Sequence, residues 1–314
     1  IFIFHSIRLL VICSIFTKNW NKPLIFILMP IKDIIIAISI PCLWGFGFVI
    51  AKPGMEQLPP LLINGLRWWL AGLILVWWFP VPRNLFKEIL ILSFVACTLQ
   101  YGLTFSGLNL VEASSAIIIV QFEVPFGVLA AFLILKEKPP LKNLFGLLIA
   151  GAGLFILTGA PNLEGQSLGI TLLLSGAAVW ALGQIIAKSI TGKINGIALT
   201  AWVGIMSGPQ LVLASALIDG NTINYITSAN SIAWLIVIYQ ATLMTALGYS
   251  LWYFLLSKYP VNKVMPIHLL LPFTGVLAAV FLLGERPDIK VYFGGIIIII
   301  GVAIILYSKS ENKV

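Results

Sequence analysis

The chain has 314 residues, 60% of them hydrophobic and only 10% charged, with a formal net charge of +8. Soluble domains carry roughly 25% charged residues, so there is too little charge here to clothe a water-facing surface. That excludes a soluble enzyme, a disordered chain and a nucleic-acid binder, in spite of the basic balance. A spanning helix needs ~20 apolar residues to cross ~30 Å of hydrocarbon, which leaves room for about ten spans with short joints. The expectation is an all-α polytopic membrane protein, multi-pass in the cell (inner) membrane.

Residues 1–28 are apolar but interrupted by Arg8, Lys18 and Lys22. Their best run, Leu9 to Phe16, is too short to span. Met29 stands just ahead of the first clean span, so 1–28 reads as a doubtful N-terminal extension from a misplaced start. An additional N-terminal helix is the alternative. Apolar runs bounded by charge, Pro and Gly then give spans at about 34–51, 60–79, 89–108, 114–135, 142–160, 168–187, 196–218, 231–255, 264–284 and 291–307. Lys/Arg counting orients them. With the N-terminus inside, cytoplasmic segments hold Lys32, Arg83, Lys87, Lys136, Lys138, Lys142, Lys188, Lys193, Lys258, Lys263, Lys309 and Lys313, against Lys52, Arg286 and Lys290 outside. That bias puts both termini in the cytoplasm.

The chain also repeats itself. WGFGFVIAK at 44–52 matches WALGQIIAK at 180–188 at five of nine positions, with an offset of 136. GVLAAFLILKEKP at 127–139 matches GVLAAVFLLGERP at 275–287 at eight of thirteen, with an offset of 148. The same offset pairs Tyr101 with Tyr249, Gly146 with Gly294 and Gly153 with Gly301, and the outer loop DGNTINYITSAN absorbs the difference. Two five-span repeats are expected, 29–160 and 161–314. An odd number of spans makes the second copy enter from the opposite side. Inverted repeats of this kind are a transporter architecture, with the substrate near the midplane and alternating access by rocking.

Ionisable side chains inside spans cost about 2.5–3.5 kcal/mol at a helix centre and default to functional candidates. Three qualify: Arg67, Glu123 and His268. Glu123 lies two residues before Pro125, and His268 lies four before Pro272. Gln121 holds the position of His268 relative to its own proline, so the two are approximate repeat mates. Glu123 and His268 near one cavity would exchange protons and couple transport to a gradient. The bland reading is a neutral hydrogen-bonded pair that shapes a pocket. Arg67 meets a substrate carboxylate, pairs with Glu123, snorkels outward or ties two helices together; the last is preferred.

Trp44 and Trp180 are repeat mates deep in their spans, where an interfacial belt does not explain them. Each walls a cavity or packs a helix contact. Gln100, Tyr101, Tyr249 and Trp252 add aromatic and hydrogen-bonding surface, and Gln184 shares a helix face with Trp180. Glu137 and Glu285 sit at span ends and read as caps or ion pairs. Gly151, Gly153 and Gly301 read as packing residues. Cys13, Cys42 and Cys97 are too scattered for a disulfide framework or a metal site. No metal, no cofactor and no P-loop is expected, hence no ATPase partner. The expected partners are a small-molecule substrate and the lipid bilayer, with the chain as monomer or homodimer.

WGFGFVIAK, the Leu66-Arg67 start of LRWWLA within the second span, SSAIIIVQFEVPFGVLAAFLILKE, WALGQIIAK, LGYSLWYFLLSKY and LLLPFTGVLAAVFLLGE resemble the EamA-type drug/metabolite transporter family over essentially all of 30–308. LPPLLINGLRWWLAG and YQATLMTALGYSLWYFLLSKYPVNKV are most similar to its branch that exports cysteine and O-acetylserine. Gly47, Glu123 and His268 depart from that branch, which usually has Asn, Gln and Ser there. The resemblance implies a secondary transporter exporting amino acids or related small metabolites. The alternatives are an exporter of amphipathic drugs or nucleobases and, from another class, a membrane scaffold or enzyme.

Overall fold

The computed structural model describes residues 24–27, 29–108, 110, 119–158, 167–283, 288–308 and 310–313. Long apolar runs with satisfied internal hydrogen bonds form helices, as hydrocarbon demands. They are α1 (Ile31–Met55), α2 (Pro60–Leu75), α3 (Arg83–Leu108), α4 (Glu123–Ile134), α5 (Leu141–Thr158), α6 (Ser167–Thr191), α7 (Gly196–Ile218), α8 (Ser231–Lys258), α9 (Val261–Val264, Met265–Leu270 and Leu271–Leu283) and α10 (Ile289–Leu306). Among the described residues eight helices are long and apolar enough to cross a membrane; α4 and α5 are the shorter apolar ones. A short helix, Thr222–Ser228, lies in the joint between α7 and α8.

One strand pair departs from the all-α expectation. Leu24–Ile27 (β1) pairs antiparallel with Ser310–Lys313 (β2), Leu24 opposite Lys313. The segment is rich in β-branched and aromatic residues and too short to span. The rest of 1–28 lies outside the described residues, as do Cys13, Glu285 and the start of the fourth predicted span.

The helices meet in reciprocal antiparallel pairs. Between α5 and α10, a Cβ on Gly146 would lie 2.6 Å from Gly301 O, and one on Gly153 would lie 2.7 Å from Gly294 O. Gly146 and Gly294 are mates under the 148 offset, and so are Gly153 and Gly301. Each contact is therefore the two-fold image of the other, the relation an isologous interface shows between subunits. Between α2 and α7 the 136 offset does the same. A Cβ on Gly72 would meet Ile205 N at 2.5 Å, and one on Gly208 would meet the mate atom set, Trp69 Cβ, at 2.4 Å. Gly151, by contrast, faces open space, so its reading as a packing residue is corrected: it lies off the stripe shared by Gly146 and Gly153.

Regular helix fails at matching places in the two halves. α3 has a π-helical stretch at Phe94–Leu99, and α8 has one at Gln240–Leu247. Both end immediately before the Gln100-Tyr101 and Gly248-Tyr249 pairs. The fourth span, expected as continuous over 114–135, instead turns at Gln121–Phe122 before α4 begins at Glu123. Pro125 has no N–H for the Gln121 carbonyl, which accepts from Val124 N at 3.1 Å instead. In α9 Pro272 likewise cannot serve His268 O, which accepts from Leu271 N at the end of a 3-10 stretch, Met265–Leu270. Each carbonyl four residues before a proline closes a tight i+3 turn.

At one end of the bundle polar groups knit the helix termini together. Lys188 Nζ donates to Leu256 O at 2.5 Å and Tyr259 O at 2.7 Å. Asp33 accepts from Tyr259 Oη at 2.5 Å and pairs with Lys258 at 3.3 Å. Asn262 N donates to Glu137 Oε2 at 3.3 Å, Lys263 Nζ donates to Ser308 O at 2.8 Å, and Ser308 Oγ donates to Asn143 Oδ1. These are the termini to which the Lys/Arg count assigns one common side.

Candidate substrate and proton site

The breaks in α4 and α9 bring the two buried titratable groups together. His268 Nδ1 lies 3.7 Å from Glu123 Oε2. That is an ion-pair distance and too long for a hydrogen bond. His268 Nε2 is buried without a hydrogen-bond partner. Three indoles surround the imidazole, with ring centroids at 4.4 Å for Trp180, 5.0 Å for Trp44 and 5.1 Å for Trp252. Trp44, Trp180, Trp252, Glu123 and His268 are all at most 7% exposed, so this cluster is closed to solvent.

Local packing sets each ring. Gly45 lets α9 press against α1, where Thr274 Oγ1 donates to Pro41 O at 2.7 Å. That contact carries Trp44 to the imidazole. Trp44 Nε1 donates to Met244 O at 2.9 Å, in the π-helical stretch of α8. Such stretches leave carbonyls free for side chains. Trp252 Nε1 donates to Gln184 Oε1 at 2.7 Å, which fixes both inside the core.

Arg67 is 4% exposed and is linked through Met244 to Trp44, whose ring lies 5.0 Å from that of Tyr249. Its Nη2 donates to Tyr101 Oη and its Nη1 to Met244 Sδ at 3.2 Å, while Nε has no partner. The alternative of a pairing with Glu123 is not seen among the described residues, because Glu123 is turned to His268. The guanidinium does tie α2 to α3 through Tyr101. Tyr101 and Tyr249 are only partly buried. Gln100 bonds within its own helix to Thr104 Oγ1 at 2.9 Å. Gln121 is buried in the turn before α4. An apolar crevice of 390 Å³ lies elsewhere, between α1 and α8, lined by Cys42, Leu43, Phe46, Leu247 and Leu251.

A closed aromatic cluster between broken helices of two inverted halves is the arrangement of a transporter site. The model of the EamA-like transporter family matches residues 31–159 and again 167–307. The chain belongs to that family. It is therefore a multi-pass membrane transporter rather than an enzyme. A protein named "Probable amino-acid metabolite efflux pump" from Escherichia coli strain K12 is 27% identical over 291 residues, covering 90% of this chain and 97% of that one. Another of the same name from Salmonella typhimurium strain LT2 is 27% identical over 290 residues, covering 87% and 94%. A solved crystal structure superposes with a TM-score of 0.74 at 15% identity, covering 88% of this chain and 96% of the other. It speaks to the fold alone.

For this EamA member, three site neighbours escaped the sequence reading. Met244 links Trp44 to Arg67. Trp68 is fully buried, with its ring 4.5 Å from Tyr249 and its Nε1 unpartnered. Thr245 Oγ1 is likewise buried without a partner. Trp68 carries a legible signal, a mid-span Trp like Trp44. Met244 carries none, because a thioether in a membrane span looks like any apolar residue.

Proposed function

We propose that the chain exports amino acids or related small metabolites by alternating access, coupled to protons through Glu123 and His268. In this reading it spans the membrane ten times, as repeats 29–160 and 161–314, with both termini cytoplasmic. The observation that carries it is the 3.7 Å approach of Glu123 and His268 at matched breaks in repeat-mate helices. A carboxylate and an imidazole enclosed by indoles cannot both be stripped of protons without leaving a bare buried charge. Proton gain or loss therefore changes which closed state is stable, and solute exchange follows. The cage of Trp44, Trp180 and Trp252 also suits an ammonium group, which aromatic faces within ~6 Å attract. The names of the two efflux pumps support the amino-acid class.

The density of indole rings favours a second reading, export of amphipathic drugs or nucleobases, in which Glu123 is the counter-ion of a bulky cation. Proteoliposomes loaded with a mixed pool of amino acids and thiol metabolites, with and without a pH gradient, separate the two. Selective, gradient-dependent movement of a small amino acid is expected. Movement of drugs or nucleobases alone would favour the second reading.

A further inference from the structure

Among the described residues, Arg67 has no charged partner. Five N–H donors point from a guanidinium that remains cationic in proteins. Here one goes to the Tyr101 hydroxyl, one to the Met244 thioether, and Nε–H goes to nothing. Asp33 is paired with Lys258 and Glu123 is turned to His268, so neither carboxylate reaches Arg67. A sulfur and a phenol are weak compensation for a cation that is 4% exposed, since buried charges are otherwise paired or ligated. Two more unpartnered polar groups lie on the same helices. Trp68 Nε1, next in the chain, and Thr245 Oγ1, next to Met244, are also buried and unpartnered. Tyr101, which takes one of the guanidinium donors, and Tyr249 are only partly buried.

We propose that Arg67 is the carboxylate-binding subsite of the transported solute, with the unpartnered Nε–H as its first donor. Guanidinium geometry matches a carboxylate bidentately, and the chain of contacts from Arg67 to His268 runs through Met244 and Trp44. A solute with a carboxylate at one end and an ammonium at the other would set the carboxylate at Arg67 and the ammonium against the indole cage. This inference rests on the amino-acid reading above and narrows it to solutes that keep a free carboxylate.

The test is flux and thermal stabilisation of the purified full chain with paired probes: each free L-amino acid against its C-terminal amide. Wild type is expected to favour the free acid by ten- to a hundred-fold, the range for hydrogen bonds to charged groups. Arg67→Gln is expected to erase that preference, and Arg67→Lys to retain part of it. Tyr101→Phe removes the tie to α3 but leaves the guanidinium, so the preference is expected to survive it. If wild type moves acid and amide equally well, the carboxylate subsite is overturned while the amino-acid reading stands. If Tyr101→Phe and Arg67→Gln lose activity alike for both probes, Arg67 is a helix tie and the proposal fails. Movement of neither probe, in protein that moves drugs or nucleobases, overturns both readings. The wild-type comparison decides the matter even where a variant does not fold.

Discussion

Glu123 stands 3.7 Å from His268, each beside a turn that a proline has broken, one in each half of the molecule. If that pair couples flux to protons, Glu123→Gln is expected to abolish pH-gradient-driven transport and to preserve counterflow exchange, which needs no net proton movement. His268→Gln is expected to act in the same direction. The double variant is expected to be no worse than the more severe single one, since members of one unit are strongly non-additive. Initial rates in proteoliposomes with and without the gradient read this directly. Unchanged pH-driven uptake in Glu123→Gln would remove that carboxylate from the scheme.

The glycine contacts make a stability prediction with an internal control. A Cβ at Gly301 would sit 2.5 Å from Ala150 N, backbone that cannot swing aside. Gly301→Ala and its mate Gly153→Ala are each expected to cost about 1–3 kcal/mol, the usual range for overpacking. Gly151→Ala meets nothing within 4 Å and is expected to be neutral or to stabilise by about 0.5–1 kcal/mol, as removing a helical glycine does. Melting in detergent ranks the three. Equal effects would mean that α5 and α10 separate as easily as they pack.

Much of this architecture was readable from residues. Charge and proline punctuate the apolar runs sharply, so α7 is found at the predicted Gly196–Ile218. The offsets of 136 and 148 anticipate the reciprocal contacts of Gly72 with Gly208's helix and of Gly146 with Gly301, because a repeat folded twice must meet itself symmetrically. The breaks were less legible. Pro125 and Pro272 announce a missing hydrogen bond, but not that the Gln121 and His268 carbonyls turn to i+3 partners. The π-helical stretches at Phe94–Leu99 and Gln240–Leu247 have no sequence signature at all. They arise from the packing of α3 and α8 against other helices. For the same reason Arg67's choice of Tyr101 over Glu123 lay beyond spacing arguments: it depends on which side of Trp44 each charge falls.

The Trp252–Gln184 bond offers a test of the aromatic cluster as a folded unit. Both residues are at most 2% exposed, and the bond is 2.7 Å long. Trp252→Phe leaves the Gln184 amide oxygen buried without a donor, which is expected to cost about 1–3 kcal/mol beyond the lost ring volume. Pairing it with Gln184→Met removes both polar partners and is expected to recover part of that loss. Thermal melts of the two singles and the double give the coupling. Strict additivity would show that the bond contributes nothing on its own.

At the polar end of the bundle, burial holds the Glu137 carboxyl above its ordinary value of 4.5, opposed by nearby Lys188 and by the backbone N–H groups of Asn262 and Val261. A folded-state value above the unfolded one means that the fold prefers the protonated acid. Its stabilising contribution is full below pH 4.5 and is lost as pH rises through the elevated folded value. Glu137→Gln keeps an oxygen to accept from Asn262 N but cannot ionise. The melting temperature of the variant minus that of wild type is therefore expected to climb between acidic and neutral pH and then level off. Scans from pH 4 to pH 8 at fixed salt check it. A difference that falls with pH would mean that Lys188 and the two amides outweigh burial, and that Glu137 ties α4 and α6 together as an ion pair.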